Sequence, residues 1–144
     1  MRRLRAAAGF TVLELTVVIT IMAVLMGLSY SAWRGHTAKE RLRYGIVQVS
    51  SNLREAQERA KEARVVYTVT FAAASSAYVI ARSGGGFTEN ADLPSGVTVA
   101  ANDVVTFSAF GQPDAAHTIT VQDATASGTV SVNATGGISY TTPP

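Results

Sequence analysis

One carboxylate interrupts the apolar stretch near the start of this 144-residue chain. Glu14 is the single charged residue between Phe10 and Trp33, a run of 24 positions. A carboxylate in such surroundings is costly unless it finds a cation or reaches water, so its chemistry is that of an ion pair. Positions 10, 11, 17 and 18, one helical turn to either side, are Phe, Thr, Val and Val, so the cation must come from elsewhere. Other residues of reactive type form no constellation. His36 and His117 lie far apart without metal-ligand spacing and read as surface residues, so no metal or other cofactor is expected. The chain has no cysteine, which excludes disulfides and thiolate sites. Ser83-Gly84-Gly85-Gly86 lacks the Lys-Ser/Thr of a phosphate loop and reads as a hairpin turn. Asn133-Ala134-Thr135 has the form of a glycosylation sequon, a tripeptide that chance supplies often. No catalytic residue is identified, and the chain is not expected to be an enzyme.

A partner for Glu14 is available if the chain is cut. Arg2, Arg3 and Arg5 precede the apolar run and mark a cytoplasmic side. The small residues Ala6 to Gly9 stand before that run, whereas an ordinary signal peptide has its cleavage site after it. Cleavage after Gly9 would leave the apolar segment on the mature chain and free the α-amino group of Phe10. On a neighbouring copy that amine could pair with Glu14, and an ion pair formed only between correctly docked helices fixes register. An uncleaved signal anchor is the alternative.

The elements that must position these residues follow from periodicity. As a helix, Phe10 to Trp33 extends about 36 Å, enough for a hydrocarbon core of about 30 Å. Helical spacing then continues through Leu42, Ile46, Val49, Leu53, Ala56, Ala60 and Ala63, an apolar stripe opposite charged faces. Glu55-Arg59 and Glu58-Lys61 have the spacing of surface pairs. The reading is a nearly continuous helix from Phe10 to about Arg64, transmembrane or filament-core over residues 10–33 and amphipathic over 34–64. A coiled coil is the competing reading of the stripe, and its terminal alanines favour packing on a sheet instead. Gly27, Gly35 and Gly45 are its expected weak points, with local melting near Gly27 to Gly35 on assembly.

From Val65 the period changes to two. Seven short runs are expected as strands: 65–71, 78–80, 97–99, 104–107, 118–121, 129–132 and 138–140, separated by Gly, Pro, Asn and Asp. The fold class expected is α+β, a long N-terminal helix whose stripe covers an antiparallel β-sheet or β-sandwich head over 65–144.

Gly9-Phe10-Thr11-Val12-Leu13-Glu14-Leu15 resembles the processing signal of type IV pilins and type II secretion pseudopilins. The head, from Val105-Thr106-Phe107 to Gly136-Gly137-Ile138, is similar in hydrophobic spacing to the GspH/FimT-type minor pilins. It departs from them in lacking an Arg beside the late glycine pair, and where major pilins often carry a proline, about twenty residues into the mature chain, this sequence reads Gly27-Leu28-Ser29-Tyr30-Ser31 and has no proline before Pro94. The resemblance implies a leader peptide over residues 1–9, cut after Gly9 by a prepilin peptidase that N-methylates Phe10, with Glu14 as the assembly residue. It implies other pilin subunits and an inner-membrane assembly platform as partners. The precursor would sit in the inner membrane with its head in the periplasm, then enter a type IV pilus (fimbrium) or a periplasmic pseudopilus. The chain by itself does not separate a major or minor pilin from a type II secretion pseudopilin.

Charge bears on the remaining alternative, a DNA-binding minor pilin for competence. Residues 34–64 hold eight basic and four acidic residues; beyond Val65 there is Arg82 against Glu89, Asp92, Asp103, Asp114 and Asp123. Phosphate binding needs clustered Lys and Arg on an accessible face, which this head lacks, so DNA is possible but not favoured. Arg34, Lys39, Arg41 and Arg43 are better placed to meet membrane lipid headgroups before assembly.

Overall fold

The computed structural model describes residues 11–143, with the side chains of residues 28–35 outside that description. The chain divides into two compact units, Met1–His36 and Thr37–Pro144. One helix, α1, runs from Val12 to Ala63. It begins at Thr11, whose Oγ1 accepts the Glu14 backbone N–H at 3.2 Å, an N-cap that satisfies one of the helix's orphan donors. It ends with Arg64 in the left-handed region, φ 51°, and the Val65 N–H donating to the Ala60 carbonyl at 3.3 Å. That six-to-one bond is a Schellman closure with Arg where glycine is usual.

Eight strands follow: β1 (Tyr67–Phe71), β2 (Ala77–Arg82), β3 (Thr88–Asp92), β4 (Thr98–Val99), β5 (Asp103–Phe107), β6 (His117–Gln122), β7 (Ser127–Val132) and β8 (Ile138–Thr141). They make two antiparallel sheets of four, ordered β3-β2-β1-β5 and β4-β6-β7-β8. All seven expected strands are present. The eighth, β3, is Thr-Glu-Asn-Ala-Asp, an edge strand with Ala91 alone buried. It carries no apolar alternation, and its pairing with β2 is what makes it a strand.

One core joins the helix to both sheets. Leu42, Ile46, Val49, Leu53, Ala56 and Ala60 are fully buried against Val69, Phe71, Tyr78, Ile80, Val105 and Phe107 of the first sheet. Val99, Ile119, Val121, Val130 and Val132 of the second belong to the same cluster. The helix stripe stops one turn earlier than its spacing suggests, because Ala63 is exposed in the closing turn. Gly45 is a point of close approach rather than of weakness: a Cβ there would lie 3.2 Å from Val97 Cγ1 and 3.4 Å from Pro94 Cδ. Gly128 of β7 serves the same end, since its Cβ would meet the Ile46 side chain and the Thr141 carbonyl oxygen, the latter at 2.6 Å. No melting is seen about residues 27–35 in the isolated chain, where α1 is unbroken.

Polar groups at the helix–sheet boundary find partners. The Asn52 Nδ2–H donates to the buried Tyr78 hydroxyl at 2.7 Å, and burial pushes that phenol up to about 12. Gln57 Nε2 donates to the carbonyls of Gly111 and Gly136 at 2.8 and 3.1 Å, holding two loops to one side chain. Arg59 pairs with Glu55 at 2.6 Å, as its spacing suggests, but also with Glu89 at 2.9 Å and lies 4.6 Å over the Phe87 ring. The edge strand β3 is thereby tied to the helix. Glu58 and Lys61 pair at 2.8 Å.

Candidate assembly and processing site

The first turn of α1 holds Glu14 in place. Thr11 at the N-cap and Glu14 three residues on have the spacing of a capping box, and the Thr11 half of it is formed. The helix onset therefore fixes where the carboxylate sits relative to Thr11. Glu14 is exposed, and the ion pairs among the described residues do not include it. Gly9 and Phe10, the expected cleavage and methylation residues, lie outside the described residues, as does the leader of residues 1–9.

Around Glu14 the helix surface is apolar on every side. Val12, Leu13, Leu15, Val17, Val18, Ile19, Ile21, Met22, Val24, Leu25 and Met26 are all between 40% and 80% exposed. Even the threonines are turned inward: Thr16 Oγ1 donates to the Leu13 carbonyl at 2.8 Å and Thr20 Oγ1 to the Thr16 carbonyl at 2.7 Å. Each hydroxyl is thus satisfied within the helix and presents its methyl outward. A helix apolar all round belongs in a protein core, an assembly or a bilayer. Among the described residues no helix is long and apolar enough to cross a membrane. The 24-residue run read from the sequence begins at Phe10, outside those residues.

The structure corrects the reading of the second histidine. His36 is exposed, as expected, but His117 is 12% exposed and bridges two carboxylates. Its Nδ1 lies 2.9 Å from Asp103 Oδ1 and its Nε2 3.1 Å from Asp114 Oδ1. His117 opens β6 in one sheet and Asp103 opens β5 in the other, so the ring fastens the two sheets. Burial lowers the affinity of the ring for its proton. The hydrogen bonds to Asp103 and Asp114 more than offset this, and its pKa is raised. For Asp114, burial acts to raise the carboxyl, but the Thr106 N–H and the imidazole prevail and its pKa is lowered. The i,i+3 spacing of Asp114 and His117 was visible in the sequence; Asp103, fourteen residues away, was not. No group of three or more His, Asp or Glu that could hold a metal occurs among the described residues.

Two further motifs turn out to be turns. Asn133 Oδ1 accepts the N–H groups of Thr135 and Gly137 and the Thr135 hydroxyl, at 3.1, 2.7 and 2.8 Å. The sequon is thus an Asx turn closing the β7–β8 hairpin. Asp123-Ala124-Thr125 repeats the device between β6 and β7, its Oδ1 accepting from Thr125 N, Thr125 Oγ1 and Ala126 N at 2.6, 2.9 and 2.8 Å. Ser83 to Gly86 form the β2–β3 hairpin, closed by the Arg82 N–H on the Phe87 carbonyl at 3.0 Å. Arg82 is exposed on β2 and remains the one basic residue beyond Val65.

Residues 4–30 match the family described as the prokaryotic N-terminal methylation motif. The fold is similar to that of the type IV minor pilin FimU of Pseudomonas aeruginosa, with a TM-score of 0.59 over 76% of this chain and 92% of that one. At 17% identity that likeness is one of fold. Among curated proteins none matches the sequence. The chain thus joins a methylation-motif N-terminus to a helix packed on antiparallel sheets, the fold also seen in that minor pilin.

Proposed function

We propose that this chain is a structural pilus subunit, made as a membrane-anchored precursor, cleaved after Gly9 and N-methylated at Phe10 by a prepilin peptidase, then drawn into a filament through residues 10–33. The observation that carries the reading is the segment Val12 to Met26, apolar on all faces with its threonine hydroxyls internally bonded, beginning at a capped Glu14. Such a segment is stable in a bilayer and equally so among copies of itself. The carboxylate then supplies what apolar packing lacks, one defined position along the helix, by meeting the Phe10 amine of a neighbour. The head, from Thr37, stays outside and meets other pilin subunits, while Arg41 and Arg43 face lipid headgroups before extraction by the inner-membrane platform. The likeness to a minor pilin's fold supports a pilin-like structural subunit.

The test is mass spectrometry on sheared surface filaments and on membranes of the native cells. A peptide beginning at N-methylated Phe10 in the filaments supports the reading, and its abundance there distinguishes a major from a minor subunit. The processed form confined to membranes would assign the chain to a secretion pseudopilus. An N-terminus still at Met1 would refute processing.

A further inference from the structure

The head carries an unsupported aromatic at one end and a vacant cleft of matching size at the other. Phe110 is 78% exposed, on the loop between β5 and β6. The loop is rigidly built. The Gly111 N–H donates to the Ser108 carbonyl and the Ser108 N–H to the Gln112 carbonyl, both at 2.8 Å. Gly111 adopts φ +74° beneath Lys61, and its carbonyl is held by Gln57. An apolar side chain presented to water on so fixed a loop loses little conformational freedom on docking.

The cleft lies between α1 and the turns before β4 and after β6. It has a volume of about 180 Å³ and is lined mainly by apolar atoms, among them those of Ala38, Arg41, Val97, Asp123 and Ala124. A dry cavity of about 150 Å³ accepts a benzene molecule, so a phenyl ring fits. Phe110 is anchored at the level of Gln57 and Lys61, and the cleft at that of Ala38 and Arg41. Along one helix these levels are about 24 to 35 Å apart at 1.5 Å per residue. A knob and a socket at opposite ends cannot satisfy each other within one chain, and copies held parallel by their N-terminal segments can join them only through a displacement along the helix, not about a two-fold axis.

We infer that Phe110 of one copy seats in the cleft beside Ala38 and Ala124 of a second copy, a heterologous contact between heads displaced along the helix direction. Charge is complementary as well. The cleft carries Arg41 and Asp123, the latter with a buried Oδ2 that has no hydrogen-bond partner among the described residues. The knob is flanked by the Glu58–Lys61 pair. A seated copy brings Lys61 toward Asp123 and Glu58 toward Arg41. One Phe buries only about 150–250 Å², so this contact sets register between copies that the N-terminal segments already hold together. In that respect it rests on the assembly proposed above.

Because the chain has no cysteine, engineered thiols report without background. Full-length chains carrying Phe110→Cys, Ala124→Cys or both are expressed in the native cells, oxidised with copper phenanthroline, and followed in sheared filaments and membranes. The expected result is a disulfide ladder of multimers from the double variant and no linked species from either single variant. Dimers from Phe110→Cys by itself, or its linkage to a different protein without the ladder, would overturn the contact. Unlinked double-variant chains recovered from filaments would overturn it while leaving assembly standing. Unlinked chains missing from filaments would overturn both.

Discussion

Glu14 and Ser50 show how much one polar group counts when water is removed. The carboxylate of Glu14 is exposed in the isolated chain, and the proposed assembly would make it a desolvated charge. Glu14→Leu should leave processing at Phe10 intact, since the cap on Thr11 uses the backbone N–H and not the side chain. Filament incorporation should fall at least tenfold, in line with the roughly 3–5 kcal/mol lost when one partner of a buried pair is removed. Quantitative immunoblots of sheared filaments against membranes check this, and unchanged incorporation refutes the register role. Ser50 is the opposite case. It is buried on the helix stripe and its hydroxyl has no hydrogen-bond partner among the described residues. Ser50→Ala removes the orphan and improves helix propensity, so stability should rise by about 1 kcal/mol. Thermal unfolding of the full chain in detergent reads the outcome, and a lowered midpoint would mean the hydroxyl has a role in the folded state.

At the scale of elements, the question is how one helix packs on two sheets at once. The contact works because glycines stand where side chains would collide. Gly128→Ala would drive a Cβ against Ile46 and the Thr141 carbonyl oxygen, a backbone atom that cannot swing aside. A cost of about 1–3 kcal/mol is expected from such overpacking. It should be seen as a lower denaturation midpoint, with faster amide exchange in β8 than in β2. The hairpin turns use a second recurrent device, the Asx-x-Thr hydrogen bonds of Asp123 and Asn133. For both devices the residue type was visible in the chain, but the reason for it was not. Gly45 looked like a flaw in a helix because the sequence does not show Val97 lying against it.

For the whole molecule, pH is the variable that reports how the two sheets are joined. The imidazole of His117 binds its proton more tightly folded than unfolded, because Asp103 and Asp114 accept from both ring nitrogens. Its contribution is therefore complete below the ordinary imidazole value and is lost as pH rises through the raised one. Asp114 and Asp123 behave oppositely, their pKa values being lowered by the groups that donate to them. Their contribution is present above the ordinary carboxylate value and is lost as pH falls through the folded one. Stability of the head should peak at about pH 5–6, between the reference carboxylate and imidazole values. His117→Gln should remove the decline on the alkaline side and lower the peak by about 1–2 kcal/mol. Unfolding midpoints across pH decide it; an unaltered alkaline limb in the variant would place the titrating group elsewhere.

Much of this protein was determined locally. The apolar run, the Glu14 spacing, the helix stripe from Leu42 to Ala60 and seven of eight strands all follow from periodicity. Each arises from interactions between residues a few positions apart and so is written in short stretches of sequence. The charge asymmetry and the absence of cysteine were likewise plain. What only the tertiary structure decided are the features made by residues distant in the chain: Asp103 with His117, Gln57 with Gly111 and Gly136, Arg59 with Glu89, Gly45 with Val97. The edge strand β3 belongs with these, since its polar residues gain strand geometry from β2 and their anchorage from Arg59. So do the exposure of Phe110 at one end of the head and the cleft beside Ala38 and Ala124 at the other, which no spacing in the sequence encodes. Local periodicity sets which elements form, while chain closure sets which surfaces meet, and only the second step creates a site.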